Sequence, residues 1–368
     1  MLFGGESPEH EVSLQSAKNV VDAIDRTRYE VVLIGIDRSG RWLLSEGSHF
    51  VLDSSDPRRI RLGSANQDVI LVPGARSDLV SVEAGHTLPA LDVVFPVLHG
   101  PMGEDGSVQG LLRLAHMPFV GPGILGSAVG MDKDVTKRLL RDAGIAVAPF
   151  ITVRRRSPAP DWATAVAALG EPIFVKPANM GSSVGVTKAA DAHALAGAIE
   201  EAFRYDSKVL LERFVEGREI ECAVLGNDEP EASVPGEVLP RHEFYSYEAK
   251  YLDESGADLE IPADLGEETT RRVRELAVRT FRTLCLEGMA RVDFFLTADD
   301  EIVVNEVNTI PGFTRISMYP KLWAATGVPY PELIDRLLQL AIERAARERE
   351  LRSAIDLPET VPREGMDP

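Results

Sequence analysis

Two neighbouring segments near the carboxyl end decide the fold class: ARVDFF at residues 290–295 and EIVVNEVN at residues 301–308. Apolar and polar residues alternate in both segments, which is typical of strands with one buried face. Residues 297–300 between them can close a hairpin. In such a hairpin the side chain of Asp293 faces that of Glu306 on the adjacent strand. The sequence therefore predicts a β-hairpin with two carboxylates on one face.

The same face of this predicted hairpin carries Asn308 and Arg291. Asp293, Glu306 and Asn308 offer two carboxylates and an amide oxygen, which are hard ligands suited to Mg²⁺ that is also held by phosphates. The alternative is a solvated sheet face on which Arg291 forms a salt bridge with an acid. Three candidate ligands on two adjacent strands, with apolar residues on the opposite face, favour a metal site.

A second candidate lies upstream, where an apolar strand ends in VKP at 175–177 and runs into GSSVG at 181–185. Lys176 supplies a positive charge, and the backbone N–H groups of a flexible loop can contact a phosphate. This is not a Walker A loop, because the pattern G-x-x-x-x-G-K-[ST] is absent. A simple turn and a phosphate-binding lid both remain open for this loop.

Two other motifs are misleading. GPGILG at 121–126 satisfies the dinucleotide pattern G-x-G-x-x-G, but no strand ending in an acid follows about 20 residues later, so a turn is favoured. GSSVG also satisfies the nucleophile-elbow pattern G-x-S-x-G, which requires a helix to follow. Strand-like sequence follows instead, and Asp293, the best downstream acid, has no histidine after it.

The composition narrows the function classes. The chain has 368 residues, with 44% apolar and 26% charged residues, which is typical of a globular protein of two or three domains. Its net charge is −19, which argues against nucleic acid or an anionic membrane surface as the main partner. Cys222 and Cys285 are too far apart in sequence to suggest a zinc pair. No membrane span or signal sequence is present, so a cytoplasmic location is expected.

Strands and helices alternate along the chain, which predicts a mainly parallel α/β sheet near the amino end. In such sheets ligands bind beyond the carboxyl ends of strands, where Gly4-Gly5 and His99-Gly100 lie. The first strand is very short, which suggests that the given start falls inside it. Residues 37–90 and 236–262 show no regular pattern.

Taken together, the chain to about residue 345 resembles the D-alanine–D-alanine ligases of the ATP-grasp superfamily. The matching segments are FGG at 3–5, EHEVS at 9–13, LHG at 98–100, GEDG at 103–106, GMDK at 130–133, VKP at 175–177, GSSVG at 181–185, YEAKY at 247–251, RVD at 291–293 and NEVNTIPG at 305–312.

The resemblance implies a three-lobed α/β ATP-grasp architecture with an N-terminal parallel-sheet domain. The implied division is an N-terminal substrate-side domain at 1–132, a central lobe with the phosphate-binding loop at 133–219, a C-terminal lobe with the metal site and a lid loop at 220–350, and a disordered tail at 351–368.

The resemblance also implies a reaction. ATP phosphorylates the carboxylate of a first D-alanine, and the amine of a second D-alanine attacks the acylphosphate. The products are D-alanyl-D-alanine for peptidoglycan precursor synthesis, ADP and phosphate. The implied cofactors are ATP and two Mg²⁺ (or Mn²⁺) ions, and the implied assembly is a homodimer.

The resemblance assigns site residues in four groups. Catalytic roles fall on Glu11, which would pair with the ammonium of the first D-alanine, on Ser182 and Tyr251, which would form a hydrogen-bond chain to Glu11, and on Arg291 and the Gly312 N–H, which would stabilise the tetrahedral intermediate. Other substrate contacts are His99, Ser317 and Met318. ATP contacts are Lys133, Lys176, Glu212, Arg213, Val215, Glu219 and Lys250. The metal ligands are Asp293, Glu306 and Asn308.

Alternatives remain at this point. Another ATP-grasp carboxylate–amine ligase would share the metal strands and the phosphate loop, and a nucleotide-binding regulator without turnover would belong to a different class. Relatives that make D-alanyl-D-lactate depart from tyrosine at the position of Tyr251, so the sequence predicts a dipeptide product.

Overall fold

The structure is a computed structural model that describes residues 1–45, 51–52, 59–63, 67–74, 79–83, 85, 87–88, 90–182, 184–240 and 257–351. The helices in these ranges, numbered along the chain, are α1 (His10–Ala23), α2 (Ser107–Leu114), α3 (Ile124–Met131), α4 (Lys133–Asp142), α5 (Trp162–Leu169), α6 (Ala192–Ala202), α7 (Gly266–Thr283), α8 (Met318–Ala325) and α9 (Tyr330–Arg349).

The strands are β1 (Leu2–Gly4), β2 (Leu33–Ile36), β3 (Trp42–Ser45), β4 (Val51–Leu52), β5 (Arg61–Leu62), β6 (Gln67–Leu71), β7 (Leu79–Ser81), β8 (Pro96–Val97), β9 (Phe150–Arg154), β10 (Ile173–Pro177), β11 (Thr187–Ala189), β12 (Lys208–Arg213), β13 (Arg218–Gly226), β14 (Glu231–Ala232), β15 (Gly236–Pro240), β16 (Ala257–Glu260), β17 (Gly288–Leu296) and β18 (Ile302–Asn308).

The N-terminal sheet has the strand order β7-β6-β3-β2-β1-β8. β1 pairs in parallel with β2 and β8, as expected from the alternation of strands and helices. The remaining pairs of the sheet are antiparallel. They make the sheet mixed, not mainly parallel as predicted, and apart from β2 their strands come from residues 37–90, where the strands have only two to five residues. Strands this short contain too few alternations to give a sequence pattern.

The second sheet is antiparallel, with the order β11-β10-β12-β9. Along β10, Ile173 and Val175 are buried in a core shared with α5 and α6, whereas Phe174 and Lys176 are half-buried on the opposite face. This alternation leaves one face of the sheet open for binding.

The third sheet has the order β16-β15-β13-β17-β18, with β14 also pairing with β13. The predicted hairpin is confirmed, because Asp293 on β17 pairs with Glu306 on β18, next to a bulge. Val292 and Phe294 are buried against Phe281 of α7. Burial of one such aromatic side chain stabilises the fold by about 1.5–3 kcal/mol.

The structure also extends and refines the sequence prediction. β13 begins at Arg218, so the division proposed between 219 and 220 falls inside this strand. The patternless stretch 236–262 contains the paired strands β15 and β16. None of the helices in the described ranges is both long and apolar enough to cross a membrane.

The two misleading motifs have structural explanations. Gly123 is the N-cap of α3, and a Cβ atom added to Gly126 would lie 2.6 Å from the Cys285 carbonyl oxygen. These glycines therefore allow a turn and close packing, as the turn interpretation requires. The strand β11, not a helix, follows GSSVG, so the structure lacks the strand-to-helix turn of a nucleophile elbow there.

Candidate active site

The open faces of the second and third sheets meet at Lys176. Its Nζ lies 2.8 Å from Glu212 Oε1 on the neighbouring strand and 3.4 Å from Asn305 Oδ1 on β18. Burial acts to lower the pKa of Lys176, but the charge and hydrogen bond of Glu212, together with the charges of Glu306 and Glu219, outweigh it and raise that pKa. A charged lysine thus lies between the two sheets.

A second lysine reaches the same place from α4. Lys133 is the first residue of this helix, whose N-cap Asp132 accepts hydrogen bonds from the N–H groups of Asp134 and Val135. Lys133 Nζ donates to the Met180 carbonyl at 2.7 Å and lies 3.6 Å from Glu306 Oε2. Lys133 therefore connects the glycine-rich loop with the carboxylates of the hairpin.

Glu212 has a further partner that sequence reasoning missed. Lys137, one turn along α4 from Lys133, is buried, and its Nζ lies 3.2 Å from Glu212 Oε2. Burial acts to raise the pKa of Glu212, but Lys137 and Lys176 outweigh it and lower that pKa. The buried carboxylate is therefore ionised and fixed by two ammonium groups. The four-residue spacing from Lys133 was the available signal.

The predicted metal ligands lie together. The salt bridge between Arg291 and an acid, which was the alternative interpretation of this face, is also present. Asp293 Oδ2 accepts a hydrogen bond from Asn308 Nδ2 at 2.9 Å. Arg291 donates to both oxygens of Asp293, with Nε–Oδ1 and Nη2–Oδ2 distances of 2.7 Å. Among the described residues, no three histidine, cysteine, aspartate or glutamate side chains form a metal-binding group. The donor set of two carboxylates and one amide nevertheless fits Mg²⁺ that shares phosphate ligands.

Beyond β18 the chain bends at Thr309 and Ile310 and continues to Gly312. A Cβ atom there would lie 2.7 Å from Ser317 Oγ, so this serine side chain packs closely against the backbone of Gly312. Ser317 Oγ accepts a hydrogen bond from the Thr314 N–H at 3.0 Å. The next residue, Met318, is buried in the core.

On the amino-terminal side, the structure corrects one site prediction. Ser182 Oγ donates to the carboxylate of Glu9, not to that of Glu11. Glu9 is the N-cap residue of α1, whereas Glu11 lies about 200° further around the helix at 100° per residue. The Glu11 carboxylate instead pairs with Arg38 Nη2 at 2.5 Å, in a partly exposed position. Both acids stand in the motif EHEVS, and only the helix start distinguishes them.

The buried side chain of His99 ties the N-terminal domain to the turn after β18. Its Nδ1 lies 3.0 Å from the Ile310 carbonyl oxygen, and its Nε2 lies 3.3 Å from Ser16 Oγ. Burial lowers the pKa of His99 to about 4, so the ring is neutral at physiological pH. Ser16 Oγ in turn accepts a hydrogen bond from the Phe313 N–H at 3.1 Å.

Glu104, which the sequence analysis did not single out within GEDG, forms a second such link. Its carboxylate accepts hydrogen bonds from the Gly100 N–H at 2.8 Å and from the Ile310 N–H at 2.9 Å. Burial and the nearby charge of Glu9 raise the pKa of Glu104 to about 7. Glu104 and His99 together fix the position of the turn that contains Gly312.

The remaining residues predicted to contact ATP differ in their burial and in their partners. Arg213 Nε donates to the Leu169 carbonyl at 2.9 Å, so its guanidinium is engaged at the end of β12. Val215 and Glu219 are half-buried, and the charge of Glu219 acts on Lys176. Lys250 and Tyr251 lie outside the described residues.

Comparisons with known proteins agree with this arrangement. The family model for the D-ala D-ala ligase N-terminus matches residues 1–122, and that for the D-ala D-ala ligase C-terminus matches residues 139–339. The D-alanine--D-alanine ligase of Shouchella clausii is 56% identical, with 96% of this chain and 97% of the relative covered. D-alanine--D-alanine ligase A of Escherichia coli K12 is 52% identical, with coverages of 96% and 98%.

Solved structures show the same similarity. The D-alanine-D-alanine ligase from Coxiella burnetii has a TM-score of 0.82 and 38% identity, and the similarity covers 95% of this chain and 94% of that chain. The VanG D-Ala:D-Ser ligase from Enterococcus faecalis has a TM-score of 0.81 and 36% identity, with coverages of 92% and 98%.

The two sheets that enclose the lysines and the acidic hairpin, together with these matches, define an ATP-grasp enzyme. The chain belongs to the D-alanine–D-alanine ligase family. It is therefore an ATP-dependent ligase.

Proposed function

We propose that this chain joins two D-alanine molecules into D-alanyl-D-alanine, with cleavage of ATP to ADP and phosphate, for cell wall synthesis. The observation that carries the proposal is the convergence of Lys133 and Lys176 on the hairpin of Asp293 and Glu306. Cations that can bind phosphates and acids that can bind a divalent ion lie within a few ångströms of each other. Transfer of a phosphoryl group needs both.

In the proposed first step, a carboxylate oxygen of the first D-alanine attacks the γ-phosphorus of ATP, and ADP leaves. Lys133 and Lys176 bind the phosphates, while Glu212, Val215 and Glu219 line the adenine and ribose pocket. Phosphorylation is needed because a carboxylate is a poor electrophile without a better leaving group. The contribution of the protein is mainly positioning and charge stabilisation.

Asp293, Glu306 and Asn308 are the residues that would hold the divalent ions, and we propose two Mg²⁺ ions there. When bound, such ions neutralise charge on the phosphoryl group that is transferred. An ion bound by Asp293 would share the carboxylate oxygens with Arg291, so the two cations compete for the same negative charge.

The first D-alanine is oriented by its ammonium group, which we assign to Glu9. The acid is buried at the start of α1 and is fixed by Ser182. A buried carboxylate favours a cationic partner over a neutral one. The same position selects against a lactate as the first substrate, since lactate has no ammonium group.

In the proposed second step, the amine of the second D-alanine attacks the acyl carbon, and the C–O bond to phosphate breaks. Arg291 and the Gly312 N–H stabilise the negative oxygen of the tetrahedral intermediate. Ser317 binds the carboxylate of the second substrate. Ser16, His99 and Glu104 hold the turn that carries Gly312 against the N-terminal domain.

One alternative acceptor has a specific observation in its favour, because a D-Ala:D-Ser ligase is among the similar solved structures. The test measures phosphate release from ATP and Mg²⁺ with D-alanine alone, and with D-alanine plus D-serine, D-lactate or L-alanine, followed by mass detection of the products. D-alanyl-D-alanine as the main product supports the proposal. A mixed product formed in preference to D-alanyl-D-alanine would assign a different acceptor.

A further inference from the structure

Glu221 is a buried acid that has no role in the reaction described so far. It lies on β13 and pairs in register with Asp293 on β17, which pairs in turn with Glu306 on β18. Three carboxylates therefore stand in one row across three adjacent strands. Neither the family resemblance nor the metal-ligand prediction singled out the first of them.

The guanidinium of Arg291 connects the first two acids of this row. Its Nε lies 2.9 Å from Glu221 Oε2, and it also forms the two 2.7 Å hydrogen bonds with Asp293. All three side chains are largely buried, with 16% of the arginine and 11% of each acid exposed. At this depth the charges are screened little by solvent and salt.

Asp293 has two competing partners in the proposed reaction. Arg291 contacts both of its oxygens, and a divalent ion would bind through the same oxygens. Glu221 lies on the side of Arg291 away from the hairpin partner Glu306, and it is not among the proposed ligands. It can keep its contact with the guanidinium while Asp293 turns to a metal ion.

We propose that Glu221 is a positioning residue that retains Arg291 at the reacting centre when Asp293 binds the divalent ion. The inference rests on the proposed function of Asp293 and Arg291. It has two consequences. Glu221 lowers the competition between arginine and metal for Asp293, and it fixes the guanidinium where the tetrahedral intermediate forms.

Glu221→Gln tests this, because it removes the charge and keeps the shape. A matched control is Glu237→Gln on the neighbouring strand β15: Glu237 is also buried and accepts a hydrogen bond from Arg218 Nε at 2.8 Å. The primary readout is binding of Mn²⁺ by calorimetry in the presence of a non-hydrolysable ATP analogue. This measurement needs no turnover, so it remains informative if the chain fails to use D-alanine.

We expect Glu221→Gln to weaken Mn²⁺ binding about tenfold and to lower kcat about tenfold, as is typical when a group behind a ligand is lost. The KM values for D-alanine and ATP should change less than twofold, since no substrate contact is removed. Glu237→Gln should leave Mn²⁺ binding and kcat unchanged.

Three results would overturn the proposal. Unchanged Mn²⁺ binding and kcat in Glu221→Gln would leave Glu221 without a role. If Glu221→Gln loses Mn²⁺ binding as completely as Asp293→Asn does, Glu221 is a direct metal ligand. Equal losses in Glu237→Gln would reflect general destabilisation. If Glu221→Gln does not fold, Glu221→Asp keeps the charge on a shorter side chain, and it should show the same two effects at reduced size; wild-type values would contradict the proposal.

Discussion

Ser182 Oγ donates a hydrogen bond to the carboxylate of Glu9, a residue 173 positions earlier in the chain. The contact joins the glycine-rich loop of the central lobe to the first helix of the N-terminal domain. A Cβ atom added to Gly181, the neighbour of Ser182, would lie 3.2 Å from Glu9 Oε2, so the backbone itself approaches the acid. The glycine-rich loop and the acid proposed to bind the substrate ammonium are thus fixed relative to each other.

The first prediction compares Glu9→Gln with Glu11→Gln. Glu9→Gln should lower kcat/KM for D-alanine about a hundredfold, because a buried charge-assisted contact with the substrate ammonium is lost. Glu11→Gln should change it less than about twofold, because an exposed ion pair with Arg38 contributes little. Steady-state kinetics at varied D-alanine concentration decide the matter. The reverse order of effects would return the role to Glu11.

The second prediction concerns Arg291→Ala. Turnover should fall by about a hundredfold or more while ATP affinity changes little, because Arg291 is assigned to charge that develops only during the reaction. Turnover is measured by phosphate release and ATP affinity by calorimetry. A proportionate loss of both quantities would make Arg291 a structural residue of the sheet.

The third prediction concerns Lys137→Met. Removal of one ammonium leaves the buried Glu212 carboxylate short of a partner, so the free energy of unfolding should fall by about 3 kcal/mol. The KM for ATP should rise, and that for D-alanine should not, because Glu212 is assigned to the nucleotide pocket. The control is Lys188→Met at an exposed lysine of the same sheet. Urea unfolding of the two variants with equal midpoints would contradict the buried pair.

The fourth prediction is a pH dependence of stability. The pKa of His99 is lowered by burial to about 4 in the folded protein, so between about pH 4 and pH 6.5 the unfolded chain binds more protons at this residue. Stability from this source therefore rises with pH across that window, and it decreases as the pH falls. Between pH 7 and pH 5 the loss amounts to about 2 kcal/mol.

The check uses His99→Gln, which cannot titrate. The difference in free energy of unfolding between wild type and His99→Gln, measured by urea at pH 7 and pH 5, should shift by that amount in favour of the variant at pH 5. Other titrating groups, including Glu104, occur in both proteins and largely cancel. A difference that does not change with pH would show that His99 titrates normally in the folded state.

Much of the fold could be predicted from the sequence, because the long helices and strands show clear patterns of apolar and polar residues. The register that pairs Asp293 with Glu306 followed from alternation in β17 and β18 and from a hairpin of fixed length. The strands of residues 37–90 could not be predicted, because they are short and partly exposed. β15 and β16 were missed because their pairing joins segments that are 17 or more residues apart, and no local period reports that.

Site residues could be predicted where a charged residue stands on a strand with a clear alternating pattern. They were missed where only tertiary packing brings a buried polar residue into the site. Lys137 and Glu104 are buried polar residues inside ordinary helical or turn sequence, and only the fold brings them to Glu212 and Ile310. The exchange of Glu11 for Glu9 has a local cause, since two residues that are two positions apart at a helix start point in directions about 200° apart. Glu221 and its neighbour Glu219 lie on the same strand, and the residues of β17 that pair with them differ.

The most direct test of the proposed reaction follows oxygen. D-alanine labelled with ¹⁸O in both carboxylate oxygens is incubated with ATP, Mg²⁺ and the enzyme, and the released phosphate and the dipeptide are analysed by mass spectrometry. If the carboxylate attacks the γ-phosphorus and the acylphosphate is then opened by the second amine, each phosphate carries one ¹⁸O. Each dipeptide then carries three, one at the new amide and two in the terminal carboxylate. Phosphate without ¹⁸O, or no D-alanine-dependent phosphate at all, would contradict the account.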